Sequence, residues 1–108
     1  MNVRNIKDAN GWFEVLQTGA EAQTAVMTLR PGGASGSKPK SHEKSEQILL
    51  VLEGEVEAEV AGEKRSLGEG DCVIVPADTP HRFANRGEEI AVTFSVYAPS
   101  EYPTETKS

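Results

Sequence analysis

The sequence predicts an all-β, single-domain protein, and three observations carry that prediction. Ten glycines and six prolines punctuate the chain. The segments between them are short and rich in β-branched residues, and no stretch keeps an apolar repeat of helical period. At 108 residues the chain can bury one core but not two, so residues 1–108 are read as one domain with a tail from 99 to 108.

Eight strands are expected: Phe13 to Gln17, Ala22 to Leu29, Gln47 to Leu52, Glu55 to Val60, Lys64 to Leu67, Cys72 to Val75, His81 to Ala84 and Ile90 to Tyr97. Most of the gaps between them are short, as antiparallel hairpins require. In Glu55 to Val60 the alternation is strict. Val56, Ala58 and Val60 share one face and Glu55, Glu57 and Glu59 the other, one core and one wet. In "QILLVLEG" the alternation gives way to a continuous apolar run, so that strand is expected to be covered on both faces, by the barrel interior and by another sheet or subunit. A homodimer follows as an expectation. Many short antiparallel strands suggest a sandwich or a barrel, and closing a barrel removes exposed sheet edges.

Eleven Lys and Arg against seventeen Asp and Glu give a formal charge of −6. Nucleic acid and anionic membrane are therefore poor partners, since both are bound through clustered cations. Lys38 with Lys40 and Lys64 with Arg65 are too sparse for a phosphate-tracking stripe. The first residues lack the apolar stretch of a signal peptide and no window approaches a membrane span, so a cytoplasmic address is expected. Cys72 has no cysteine partner; in "CVIVP" it reads as a small buried apolar residue. "GGASG" opens into Lys-Pro rather than a helix, which excludes a phosphate-binding loop, and no Ser or Cys has a nucleophile motif around it. The first dozen residues and the tail "SEYPTETKS" are polar, either loose or lying across a neighbour. Trp12 and Phe13 are expected to seal the barrel or a dimer seam.

Two stretches resemble the paired motifs of the cupin superfamily. In "GDCVIVPADTPHRFAN" the order Gly70, Pro76, Asp78, His81, Asn85 is similar to the family's Gly-x5-Pro-x-Gly-x2-His-x3-Asn. Asp78 stands where glycine is usual; aspartate tolerates the left-handed conformation better than most residues, so the same turn is expected. The other motif, Gly-x5-His-x-His-x3,4-Glu-x6-Gly, is anchored on Gly54. That places Gln47 at the glutamate, His42 at the second histidine and Lys40 at the first. A register starting from Gly36, with His42 first and Lys44 second, leaves too short a spacer before Gln47. The resemblance covers roughly Leu29 to Val96.

It implies a jelly-roll β-barrel with a small-molecule site in its mouth. His42, Gln47 and His81 are the implied ligands of a divalent metal (Fe, Mn, Ni or Zn). Phe83 shares a strand face with His81, and Phe94 and Val96 share a face of the last strand; these apolar residues are expected to line the barrel, and Lys40, Phe83 and Phe94 to meet the substrate. A lysine ammonium has no lone pair to donate and repels a cation, and an amide oxygen is a weaker ligand than carboxylate, so metal is expected to be held weakly. Metal-dependent dioxygenase, decarboxylase or isomerase chemistry is one implication. Others are a non-catalytic sugar or small-acid binder, in which Lys40 supplies charge, and a scaffold whose site has decayed. No residue is assigned a catalytic role. The plainer alternatives are a solvent-facing His42, an edge His81 satisfied by backbone, and a Gln47 that bridges strands, since an inward amide needs partners with or without metal.

Overall fold

The computed structural model describes residues 1–103. A short 3-10 turn, Ile6–Asp8, precedes eight strands: β1 Phe13–Thr18, β2 Gln23–Leu29, β3 Glu46–Glu53, β4 Val56–Val60, β5 Glu63–Leu67, β6 Cys72–Val75, β7 His81–Ala84 and β8 Ala91–Ala98. Each lies within one residue, at either end, of the span the alternation predicts. The strands form a five-stranded sheet, β1-β2-β8-β3-β6, and a three-stranded sheet, β5-β4-β7, with every pairing antiparallel. Inward residues of both sheets meet in one core, Leu49 and Val51 from β3 against Val56 and Ala58 from β4 and Phe83 from β7. The result is an all-β jelly-roll barrel. No helix among the described residues is long and apolar enough to cross a membrane.

Turn chemistry fixes the register. Ala61 and Gly62, both at positive φ (52° and 85°), make the two-residue loop that joins Val60 to its partner Glu63, since both central positions of such a hairpin need the left-handed region. Gly54 turns the chain between β3 and β4 at φ 76°, and a β-carbon there would stand 2.6 Å from the Ile90 carbonyl oxygen. The connection from β2 to β3 runs along β7 rather than looping free. The Gly33 carbonyl accepts from the Asn85 amide (2.8 Å), the Ser35 amide donates to the Phe83 carbonyl (2.8 Å), and Lys40 and His81 exchange both backbone bonds (3.0 and 2.8 Å). The motif asparagine locks this arrangement: buried Asn85 donates to the carbonyls of Leu29 and Glu89 and accepts from the Gly87 amide.

Three expectations are corrected, and for a fourth this chain supplies only half of the expected cover. Cys72 is exposed, because β6 is an edge strand and its odd-numbered residues, not Cys72 and Ile74, face the core. The β3 run is covered on its inner face only within this chain: Gln47, Leu49 and Val51 are buried, while Ile48 is 41% exposed and Leu50 and Leu52 are half-buried. The N-terminal residues are tied to the barrel by Arg4, which donates to the Leu16 carbonyl and pairs with Glu14, and by the Gln17 amide on the Asn2 carbonyl. The tail, as far as residue 103, docks on its own barrel. Buried Gln23 accepts from the amides of Glu101 (3.0 Å) and Tyr102 (2.9 Å) and donates to the Tyr102 carbonyl (2.9 Å), and Ser45 donates to the Pro99 carbonyl.

Candidate ligand-binding site in the barrel mouth

A loop carries His42 and the first position of β7 carries His81, and backbone bonds zip the two segments together. Asp78 takes φ 58°, the left-handed conformation that the motif requires at this position. Its amide then donates to the His42 carbonyl at 2.6 Å. Three residues on, His81 is held opposite Lys40. Directly opposed residues of an antiparallel pair put their side chains on one face, so Lys40 and His81 both border the cavity, Lys40 at its exposed edge. On β3, Gln47 faces inward because Glu46 and Ile48 face out.

The side chains converge on a cavity of about 420 Å³. His42, Gln47, His81, Lys40 and Phe83 all line it, with the His42 and His81 ring centroids 4.8 Å apart. Phe94 does not line it and is corrected. On β8 the inward residues are Ala91, Thr93, Ser95 and Tyr97, whereas Val92, Phe94 and Val96 form the outer face. An apolar/polar alternation separates two faces without saying which is inside; here the polar set faces the cavity.

The His81 imidazole is fixed in one tautomer. His81 Nδ1 lies 2.8 Å from the Thr79 carbonyl oxygen, which can only accept, so Nδ1 carries the proton and Nε2 keeps its lone pair. His42 Nδ1 lies 3.1 Å from Glu101 Oε2, which turns its Nε2 edge away from that carboxylate. Burial holds the His81 pKa below the ordinary imidazole value, with the Thr79 bond opposing and His42 adding to the depression. Gln47 is 4% exposed. Its Nε2 donates to Ser95 Oγ at 3.0 Å, while its Oε1 is buried with no hydrogen-bond partner among the described residues.

Tyr97 and Tyr102, which the sequence did not mark, complete the wall beside Phe13 and Trp12. Tyr97 packs edge-on to His42 (5.3 Å) and to Tyr102 (5.2 Å), and Tyr102 packs against Phe13 (5.0 Å). Burial raises the pKa of both tyrosines, so both are neutral phenols. Trp12 stands at the rim, 55% exposed. Tyr97 and Ser95 could have been found from the Thr-Ser-Tyr alternation of β8; nothing local marks Glu101 and Tyr102, because their docking depends on Gln23, far away in sequence. Among the described residues no group of three or more His, Cys, Asp or Glu side chains forms a metal site; a triad here needs the Gln47 amide.

The family model for the cupin domain matches residues 25–97, and the chain belongs to that family. Its fold is close to that of BH2720 from Bacillus halodurans, with a TM-score of 0.86 and 25% identity over 96% of this chain and 85% of that one. TT1209 from Thermus thermophilus gives 0.80 and 27% identity over 92% and 98% of the two chains. The uncharacterized protein L612 of Acanthamoeba polyphaga mimivirus is 26% identical over 95% of this chain and 66% of its own length. The chain spans between 50% and 66% of the length of the curated relatives it matches.

Proposed function

We propose that this cupin binds a small polar molecule in the barrel mouth, held at the floor by His42, Gln47 and His81, that these three residues also accept a divalent metal weakly, and that the protein works as a homodimer. The observation that carries the reading is Gln47 Oε1. A buried acceptor without a partner costs about 1–3 kcal/mol, and this one belongs to a residue lining the cavity beside the imidazoles of His42 and His81. A bound donor or cation would remove that cost.

The donor set fits a metal in kind. Ligating imidazoles characteristically give their other N–H to a carboxylate or a backbone carbonyl; the Thr79 carbonyl is such a partner for His81, and the Glu101 carboxylate lies 3.1 Å from His42 Nδ1. With two imidazoles and an amide the set is neutral, and Lys40 adds positive charge at the same cavity, so affinity should be low. A metal bound there would act as a Lewis acid on a ligand oxygen. The remaining work falls to the protein: Glu101 and Thr79 hold the rings in register, and the aromatic wall excludes water.

Zinc is a convenient probe of convergence. Titration followed through the imidazole nitrogen resonances should move Nε2 of His42 and His81 together, and Gln47→Met should weaken that joint response. Shifts confined to one histidine, or a response indifferent to Gln47→Met, would overturn the reading. The pair Gln47→Glu with Lys40→His adds an anionic ligand and a third imidazole, and should bind zinc or nickel far more tightly than the parent.

A further inference from the structure

A chain with a formal charge of −6 nevertheless puts two lysines, Lys38 and Lys40, on the wall of this cavity. Neither is ion-paired among the described residues, and both are exposed, which places their ammonium groups at the rim. Lys40 is held there by its backbone. Because it exchanges both main-chain bonds with His81, the two α-carbons are about 5.5 Å apart with side chains on one face. The lysine stem passes over Gly36, its Cε 4.0 Å from where a β-carbon on that glycine would stand.

The floor has the opposite demand. Gln47 Oε1 and His81 Nε2 are acceptors, and the Gln47 amide nitrogen is engaged by Ser95. Such a floor selects ligands that bring hydroxyl donors and rejects those that leave its buried acceptors unpaired. Between floor and rim, Phe13, Tyr97 and Tyr102 offer aromatic surface, which suits the carbon face of a compact ring. The volume is in the range of small-ligand sites.

Resting on the binding reading above, we infer that the ligand is a small hydroxy acid of the sugar-acid type, with its carboxylate at the Lys38 and Lys40 rim, hydroxyls donated to His42, Gln47 and His81, and its carbon face against the aromatic wall. A neutral sugar leaves the lysines without a partner. A hydrocarbon acid leaves Gln47 Oε1 unpaired. The two lysines act as point charges that a phosphate could use as well, so a sugar phosphate is the competing class that the test has to separate.

Calorimetry at low salt with D-glucuronate, D-glucose, cyclohexanecarboxylate and D-glucose 6-phosphate separates these classes. Glucuronate should bind at least about ten-fold more tightly than glucose and cyclohexanecarboxylate, which lose the charge and the hydroxyl pairing in turn, and more tightly than the phosphate. Lys38→Met with Lys40→Met should cut the glucuronate-to-glucose ratio by roughly five-fold, since exposed ion pairs are individually weak, and added salt should do the same. Equal binding of glucose, of cyclohexanecarboxylate or of the phosphate overturns the ligand class while leaving the binding reading standing. An unchanged ratio in the lysine variant overturns it as well. If the imidazole nitrogens answer to zinc but to none of the acids, the class alone fails; if they answer to no probe, both readings fail.

Discussion

Two buried amides in this barrel have opposite standing. Asn85 has its amide group fully bonded, to Leu29, Glu89 and Gly87, whereas Gln47 is bonded on one side only. Removing a satisfied buried group leaves its partners orphaned, while replacing a half-satisfied one by an apolar group of similar shape is nearly neutral. Asn85→Ala should therefore cost about 2–4 kcal/mol in urea unfolding, and Gln47→Met less than about 1 kcal/mol, or even stabilise. Equal losses would make Gln47 a structural residue rather than a ligand-holding one. His81 adds a pH dependence whose sign follows from burial. Its folded pKa lies below the ordinary 6.5, so below about pH 6.5 the unfolded chain binds more protons than the native one. Stability from this group is complete above that pH and is lost as pH falls toward the depressed folded value. Thermal midpoints of the parent should fall across that window more steeply than those of His81→Gln; parallel curves would remove His81 as the cause.

Local chemistry made the strands legible, and its absence hid the strap. Alternation and turn residues located all eight strands because a strand's faces and a hairpin's φ requirements are written in neighbouring residues. Gly54 illustrates this: positive φ and a 2.6 Å approach to the Ile90 carbonyl exclude any side chain, so Gly54→Ala should cost at least about 2 kcal/mol by denaturant titration. Motif spacing likewise reached His42, Gln47 and His81. It could not say that Phe94 points outward, because periodicity is symmetric between the two faces and the apolar set was assumed to be the inner one. Nor could it place Glu101 and Tyr102, whose position is set by three bonds from Gln23, 78 and 79 residues away. That clamp is testable by itself. Gln23→Leu should accelerate hydrogen exchange at the Glu101 and Tyr102 amides, which lose their acceptor, while the β3 and β8 amides keep their protection. Unchanged exchange at those two amides would mean that other contacts hold the strap over the mouth.

At the scale of the whole molecule, the apolar surface that β3 was expected to hide remains open. Ile48 and Ile74 stand directly opposite each other across β3 and β6, 41% and 55% exposed. Leu50 and Phe94 form the next pair along β3 and β8, and Ile48 also faces Val96. This is a continuous strip on the outer face of the five-stranded sheet, and contiguous apolar patches of that kind on a monomer mark an interaction surface. A second copy is the simplest cover, because a twofold axis through the strip makes one patch complementary to itself. Pairing there would leave the cavity free, since the cavity is lined by the opposite face of the same strands. Charge on the axis should then be felt twice: Ile74→Glu sets like charges against each other and should weaken association by at least about 2 kcal/mol, without altering the zinc response of the histidines. Cys72, exposed beside Leu50 in the single chain, reports the same event. In the parent at micromolar concentration sedimentation should show a dimer and Cys72 should alkylate slowly, whereas Ile74→Glu should sediment as a monomer with Cys72 alkylating at the rate of a free thiol. A parent that sediments as a monomer with a freely reactive Cys72 would show that this face meets something other than its own copy.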